Sequence, residues 1–261
     1  MSFVLKFSLF FLFFTLTISN FSSAEKQEKL LRQSWSFDGF FGKFDRASLQ
    51  RGYQVYTEVC ASCHSMNLLS YRNLSEVGGP GFSEDEVKAI SSKIEVLDGP
   101  NESGEMFKRS GKASDKFASP FPNEKAARAA NGGAYPPDMS VLVKARAGGA
   151  DYIYSILMGY EDKPPKGIKL EDGVYYNKYM SGNKIKMSKP LNNDSVTYSD
   201  GTASTQEQLA KDVVTFLTWA SEPHLEARKR IGFKTVIYLL ILTALVYLVK
   251  KKIWLRIEPK V

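Results

Sequence analysis

Two cysteines and a histidine within five residues, Cys60-Ala61-Ser62-Cys63-His64, restrict this chain more than any other stretch. They are the only cysteines among 261 residues, and His64 is one of two histidines. Thiols at this spacing, followed at once by an imidazole, form the attachment pattern of a c-type haem. Each thiol can bond one vinyl group, and the adjacent imidazole can turn onto the iron. Redox dithiols and half zinc sites share the Cys-x-x-Cys part. A structural zinc site asks for a larger Cys/His set than this motif offers. A thioredoxin-like dithiol asks for an early βαβ context that the sequence lacks. The reading is one covalently attached haem c on Cys60 and Cys63, with His64 as its proximal ligand. With both thiols so committed, no disulfide remains, and a body of about 200 residues can bury a core without one.

The two ends place that site relative to a membrane. Residues 4–18 are almost unbroken apolar sequence carrying only Lys6, and Ser22-Ser23-Ala24 follow. This reads as a secretory signal peptide over residues 1–24, with an uncleaved anchor as the alternative. No Arg-rich amphipathic stretch suggests a mitochondrial presequence. A second apolar run, Thr235 to Val249, has Arg228, Lys229, Arg230 and Lys234 before it and Lys250, Lys251 and Lys252 after it. Counted from Ile231 to Ile253, with lysines snorkelling at the edges, it is long enough to cross a bilayer. Tyr238, Tyr247 and Trp254 suit the interfacial belts. A buried core helix would not carry cations at both ends. The expected layout is therefore a haem domain over 25–230 in the periplasm, an anchor over 231–253 in the inner membrane, and a cytoplasmic tail over 254–261.

The formal net charge of +7 looks like that of a nucleic-acid binder until it is divided. Residues 225–261 hold nine Lys/Arg against two acids, whereas 25–224 hold 25 basic and 26 acidic residues. The basic excess belongs to the membrane segment, and no nucleic-acid partner is implied.

Within the body, Glu25 to Phe44 is aromatic without a clean period and reads as a loop packed on the core. Asp45 opens a helix whose Leu49, Tyr53, Tyr56 and Val59 share a face running into Cys60. Gly52 in its middle costs about 1 kcal/mol against alanine, which points to close approach by another element. Residues 206–220 form the other strong helix, with Thr205 or Ser204 as N-cap and Pro223 behind it. Leu209, Val213, Phe216 and Leu217 make its stripe. A first helix carrying the motif and a last aromatic helix is the layout of a class I cytochrome c fold, mainly α, here with long loop insertions. In that layout Gly52 faces the last helix.

Between these helices lies a loop-rich middle. Ala126 to Ala130 reads as a short helix closed by Asn131-Gly132-Gly133, and Val141 to Met158 as helical except around Gly148-Gly149. Residues 163–202 suit turns or short hairpins. Seven acids between Glu84 and Glu105 form either a solvated face or an acidic dock for a basic soluble partner. The far side of the iron needs a ligand or an open position. His224 sits too near the anchor to suit. Met66 is too close to His64, Met139 and Met158 lie in packing contexts, and Met106 is in the acidic stretch. Met180 and Met187 both fall before the final helix, the latter slightly favoured; methionine ligation raises the potential.

Several stretches carry a resemblance. They include Arg51-Gly52-Tyr53-Gln54-Val55-Tyr56, Cys60 to Met66, Asp98-Gly99-Pro100-Asn101-Glu102, Pro136-Pro137-Asp138-Met139-Ser140, Arg146-Ala147-Gly148-Gly149 and Trp219-Ala220-Ser221-Glu222-Pro223. Over essentially the whole mature chain the sequence resembles the cytochrome c1 family, the membrane-anchored cytochromes of the respiratory ubiquinol–cytochrome c oxidoreductase. The resemblance implies Met187 as distal ligand. It implies that the Pro137 carbonyl accepts the ligand histidine's other N–H, and that Arg146 stands beside a haem propionate. Ser188-Lys189 depart from the smaller or Pro-rich apolar sequence usual after that methionine. The resemblance also implies electron transfer from a Rieske iron–sulfur protein to cytochrome c, cytochrome b as a further partner, and a dimeric complex. The rival readings are another anchored monohaem cytochrome feeding a terminal oxidase, and a haem sensor or peroxidase with an open axial site.

Overall fold

The computed structural model describes residues 28–256. The signal peptide expected over 1–24 and the last five residues lie outside the described residues. Asp45 starts the first helix, α1 (Arg46–Val55), because its carboxylate accepts from the amides of Ala47 and Ser48. α1 turns Leu49, Gly52 and Val55 inward. It continues into a wider π turn, Tyr56–Cys60, a geometry that inserts a residue and recurs at functional sites.

Two further helices carry the middle of the chain, α2 (Glu84–Ser92) and α3 (Glu124–Ala130). The fourth and fifth, α4 (Gly149–Met158) and α5 (Gln206–Ser221), pack against each other. Thr205 caps α5 by accepting from the amide of Gln208. α1 crosses α5 at Gly52, where a Cβ would stand 2.1 Å from the Asp212 carbonyl oxygen and 2.7 Å from Cβ of Phe216. Only glycine permits that approach. Beside the crossing, Arg51 donates twice to the buried carboxylate of Asp212, at 2.8 and 3.1 Å, and once to Asp200 at 2.9 Å. A buried carboxylate so paired avoids the cost of an uncompensated charge. Tyr53, Tyr56 and Trp219 close around Phe216, with centroids 5.5–5.7 Å from its ring.

The segment before α1 straps this core from outside. Trp35 Nε1 donates to Asp151 on α4 at 2.8 Å, and Arg32 and the Gln33 amide reach the same carboxylate. Trp35, Phe37 and Phe44 are buried, but Phe40 and Phe41 are exposed, so not all of the aromatic leader packs as expected.

Two expectations about the middle change. The acidic stretch is not loop throughout: Ser83 and Glu86 form a capping box that starts α2. It runs on into β1 (Glu95–Asp98), antiparallel to β2 (Phe107–Ser110), with Glu95 opposite Ser110. The helix expected from Val141 begins only at Gly149; residues 141–148 form turns. Gly148 and Gly149 both adopt positive φ, 88° and 52°, which breaks the helical path. A second small pair, β3 (Tyr175–Tyr176) with β4 (Lys184–Ile185), is antiparallel.

After a break at Glu222–His224 the chain enters α6 (Leu225–Trp254), 30 residues long. It is long and apolar enough to cross a membrane, and none of its most apolar stretch is buried in the fold. The described protein is thus mainly helical, with one apolar C-terminal helix.

Candidate haem-attachment site

The motif begins where the π turn ends. The His64 and Cys63 amides both donate to the Cys60 carbonyl, at 2.9 and 3.1 Å, and Ala61 donates to Tyr56 at 2.8 Å. These bonds wind the five motif residues into a compact turn at the end of α1. Cys63 is exposed and Cys60 partly buried. Beneath them the buried ring of Tyr56 sends its hydroxyl to the His64 carbonyl at 3.3 Å.

His64 Nδ1 lies 2.8 Å from the carbonyl oxygen of Pro137. A carbonyl only accepts, so Nδ1 must carry the proton. In the neutral ring that leaves Nε2 with a free lone pair, the form in which imidazole binds a metal. Burial lowers the His64 pKa, opposed by the Pro137 carbonyl and the charge of Asp138, so the ring is neutral at physiological pH.

Pro137 is held in turn. Asp138 accepts from the Ser65 hydroxyl and the Asn67 amide through one oxygen, both at 2.8 Å, and from the Ser140 amide through the other. The Met139 amide donates to the Ser65 carbonyl at 2.8 Å, and the Leu68 amide to the Ser140 hydroxyl at 3.0 Å. Segment 65–68 is therefore laced to segment 137–140 across more than seventy residues of sequence. Burial would raise the Asp138 pKa, but the hydrogen bonds from Ser140, Asn67 and Ser65 outweigh it and hold the carboxyl below its ordinary value. A cleft of about 160 Å³ opens on the outer side of Cys63, lined by Ser65, Pro120, Phe121, Tyr135 and Pro136 among others.

The other residues singled out in the sequence are placed as follows. Met187 follows β4 and is partly buried; its carbonyl accepts from the Tyr160 hydroxyl at 3.0 Å. The preceding Lys186 donates to the Gly132 carbonyl at 3.0 Å, which ties this segment to the turn that closes α3, upstream of Pro137. Burial pushes the Tyr160 phenol well above its ordinary range, so it stays a donor at any working pH. The sulfur of Met180 faces the Tyr152 hydroxyl at 3.7 Å. Met66 and Met139 are core residues, and Met106 is exposed. Arg146 is exposed. Its guanidinium donates to the adjacent Ala145 carbonyl and forms no ion pair among the described residues.

The donor set suits a haem c. It offers two cysteines at thioether spacing and an imidazole with its Nδ1 proton committed. Three supports carry little signal in the sequence: the role of Asp138 depends on meeting Ser65 and Asn67, that of Tyr56 on its hydroxyl reaching the His64 carbonyl, and Tyr160 has no motif of its own.

The family model described as the Cytochrome C1 family matches residues 35–257. A "Cytochrome b/c1" of Bradyrhizobium diazoefficiens is 50% identical over 248 residues, covering 88% of this chain but 36% of that protein's length. A mitochondrial "Cytochrome c1 1, heme protein" of Arabidopsis thaliana is 50% identical over 227 residues, covering 86% of this chain and 73% of its own. The "Cytochrome c1" of Rhodospirillum rubrum is 47% identical over 240 residues, covering 86% and 87%. The chain belongs to the cytochrome c1 family, whose members carry one covalently bound haem c.

Proposed function

We propose that this chain is the haem-carrying subunit of a respiratory bc1 complex, relaying single electrons from a Rieske iron–sulfur protein to a c-type cytochrome. The observation that carries the reading is the His64 Nδ1–Pro137 contact at 2.8 Å, which leaves Nε2 available as an axial ligand beside two attachment thiols. When bound, the haem supplies a one-electron couple. The chain's own residues attach it, orient the proximal imidazole and set the charge around it.

In this reading Cys60 and Cys63 would carry the thioethers, and His64 and Met187 would be the ligands to the iron. The contact between Met180 and Tyr152, and the core positions of Met66 and Met139, support that choice. Arg146 would pair with a haem propionate, and its lack of an ion pair among the described residues supports the role. The haem domain, residues 25–230, is class I cytochrome c-like with long insertions and lies in the periplasm. Residues 231–253 anchor it in the inner membrane, with 254–261 cytoplasmic and 1–24 removed as a signal peptide. Cytochrome b and the Rieske protein are its partners, in a complex that is dimeric as the family resemblance implies. The acceptor docks on the acidic stretch from Glu84 to Glu105.

The test is purification of the membrane complex. Covalent haem at the mass of this chain, a low-spin reduced spectrum, and copurification with cytochrome b and a Rieske protein are the expected results. Recovery with a terminal oxidase instead would place the chain as a different anchored cytochrome. High-spin iron with rapid carbon monoxide binding would overturn Met187 ligation and favour a sensor or peroxidase.

A further inference from the structure

The junction between the haem domain and α6 holds a pocket with no part in the relay. There the loop 39–43 folds against the first turns of α6. Lys229 Nζ donates to the carbonyls of Phe37 and Gly39 at 2.6 Å and of Gly42 at 3.3 Å. Glu226 accepts from the Phe44 amide and, through both oxygens, from Arg46. The loop is bolted to the helix by these bonds, and the bolting leaves two large rings in the open. Phe40 is 53% and Phe41 75% exposed. Both meet Phe233 of α6 edge-on, with centroids 5.8 and 5.9 Å away.

Between the rings lies a pocket of about 260 Å³, rimmed by Lys43, Arg230 and Lys234. Glu226 and Lys229 are already committed, whereas these three cations form no ion pair among the described residues. Phe233 and Lys234 immediately precede the unbroken apolar run of α6. The rings therefore stand at the level where aromatic side chains meet the lipid headgroups. An apolar floor with uncompensated positive charge around it matches a molecule with a hydrocarbon part and an anionic part.

We propose that this pocket seats an anionic phospholipid of the leaflet on the haem-domain side, its upper acyl chain against Phe40, Phe41 and Phe233 and its phosphate among Lys43, Arg230 and Lys234. The proposal rests on α6 being the membrane anchor. A zwitterionic lipid would bring its own cation against the three, so the site discriminates by charge. Seating a lipid there covers two phenylalanines that otherwise face water and fixes the level at which the haem domain rides on the membrane.

The test uses the full chain in its membrane complex, reconstituted in phosphatidylcholine vesicles containing a minor share of phosphatidylglycerol. A photoreactive p-benzoylphenylalanine replaces Phe41 in one preparation and Leu242, in the middle of α6, in another. The Phe41 probe is expected to capture phosphatidylglycerol in excess of its bulk share by roughly tenfold. The combined Lys43→Gln, Arg230→Gln and Lys234→Gln variant should return that capture to the bulk share. The Leu242 probe should capture both lipids in bulk proportion. Capture of another protein subunit at Phe41, or of lipids in bulk proportion there, would overturn the site while leaving the anchor standing. Failure of the Leu242 probe to capture any lipid would remove the anchor and the site with it.

Discussion

Segment 137–140 and the segment around Met187 are held in place by different means. Pro137 to Ser140 is joined residue by residue to His64 to Leu68, with a carboxylate at the centre taking three donors. Met187 is held by isolated bonds: one hydroxyl on its carbonyl, and one lysine beside it on a glycine carbonyl. A laced segment moves as a unit or not at all, because breaking one bond leaves the others in place. A segment on single bonds can open alone. The His64 ring is thus held fixed, while the Met187 segment can be perturbed without disturbing the Cys60–His64 motif.

The largest expected effect separates attachment from ligation. Met187→Leu keeps the volume but removes the sulfur. The potential should fall on the order of 0.2 V, since axial ligation spans most of a volt across haem proteins. Electron transfer to the acceptor should be lost, with haem still covalently attached on a stained gel. A native potential and low-spin spectrum in this variant, with both lost in Met180→Leu, would reassign the ligand.

Next in size is the packing beneath the motif. Gly52→Ala places a methyl against the Asp212 carbonyl and Cβ of Phe216. Overpacking at backbone typically costs about 1–3 kcal/mol, and here it also strains the Arg51–Asp212 pair. Thermal unfolding of the holo-protein should show a clear drop in Tm, and the potential of the surviving folded fraction should stay native.

Asp138→Asn addresses the lacing itself. The amide keeps the shape but cannot accept from Ser65, Asn67 and Ser140 together. Hydrogen bonds to a charged group are worth about 1.5–3 kcal/mol each, so the variant should lose about 2 kcal/mol at neutral pH. The sign of the pH dependence follows from the direction of the shift. The folded Asp138 pKa is depressed, so its stabilisation is present above the unfolded carboxylate value and is lost as pH falls through the folded one. Acid unfolding curves of wild type and variant should converge at low pH. A gap that persists there would mean that the loss comes from the amide NH2 facing a donor, not from the carboxylate's charge.

How much of this was legible beforehand divides along the same line as the two segments. The α1 face, the cap at Thr205, the Asn-Gly-Gly stop after α3 and the close approach at Gly52 are local signals, readable from spacing and residue type. The lacing is not local. Ser65 and Asp138 are ordinary polar residues until the fold brings them together. The same pairing explains why the helix expected from Val141 starts only at Gly149. The residues just before it are drawn to segment 65–68, and the amides there close turns such as Leu142 to Met139 instead. Position along the chain and methionine chemistry narrowed the distal ligand only to two residues, because the contact that distinguishes Met180 lies on Tyr152.

A smaller effect is expected from Tyr160→Phe. It deletes one hydrogen bond to the Met187 carbonyl, worth about 1 kcal/mol, and leaves the ring's packing intact. If the Met187 segment opens alone, the variant should bind carbon monoxide faster than wild type and show a slightly lower potential, with unchanged thermal stability of the haem domain. Equal changes in stability and ligand binding would mean that this segment is as cooperative with the core as segment 137–140.

The smallest effect at physiological salt should come from the acidic face, and the structure sharpens where to look. Asp85 pairs with Lys88, Glu95 with Lys108, and Asp98 with Arg109, while Glu86 is turned back onto Ser83. Those charges are partly spent on their neighbours. Glu84, Glu102 and Glu105 are exposed and form no ion pair among the described residues. Reversing these three to lysine should slow reduction of a basic cytochrome c severalfold at low ionic strength. The difference should fade as salt approaches physiological strength, where the screening length is about 8 Å. Reversing Asp85 and Glu95 should slow it at least as much, because each reversal makes the same change of two charges and also frees a lysine to face the partner. No effect from either set at any salt would make the acidic stretch a solvated surface and move acceptor docking elsewhere on the haem domain.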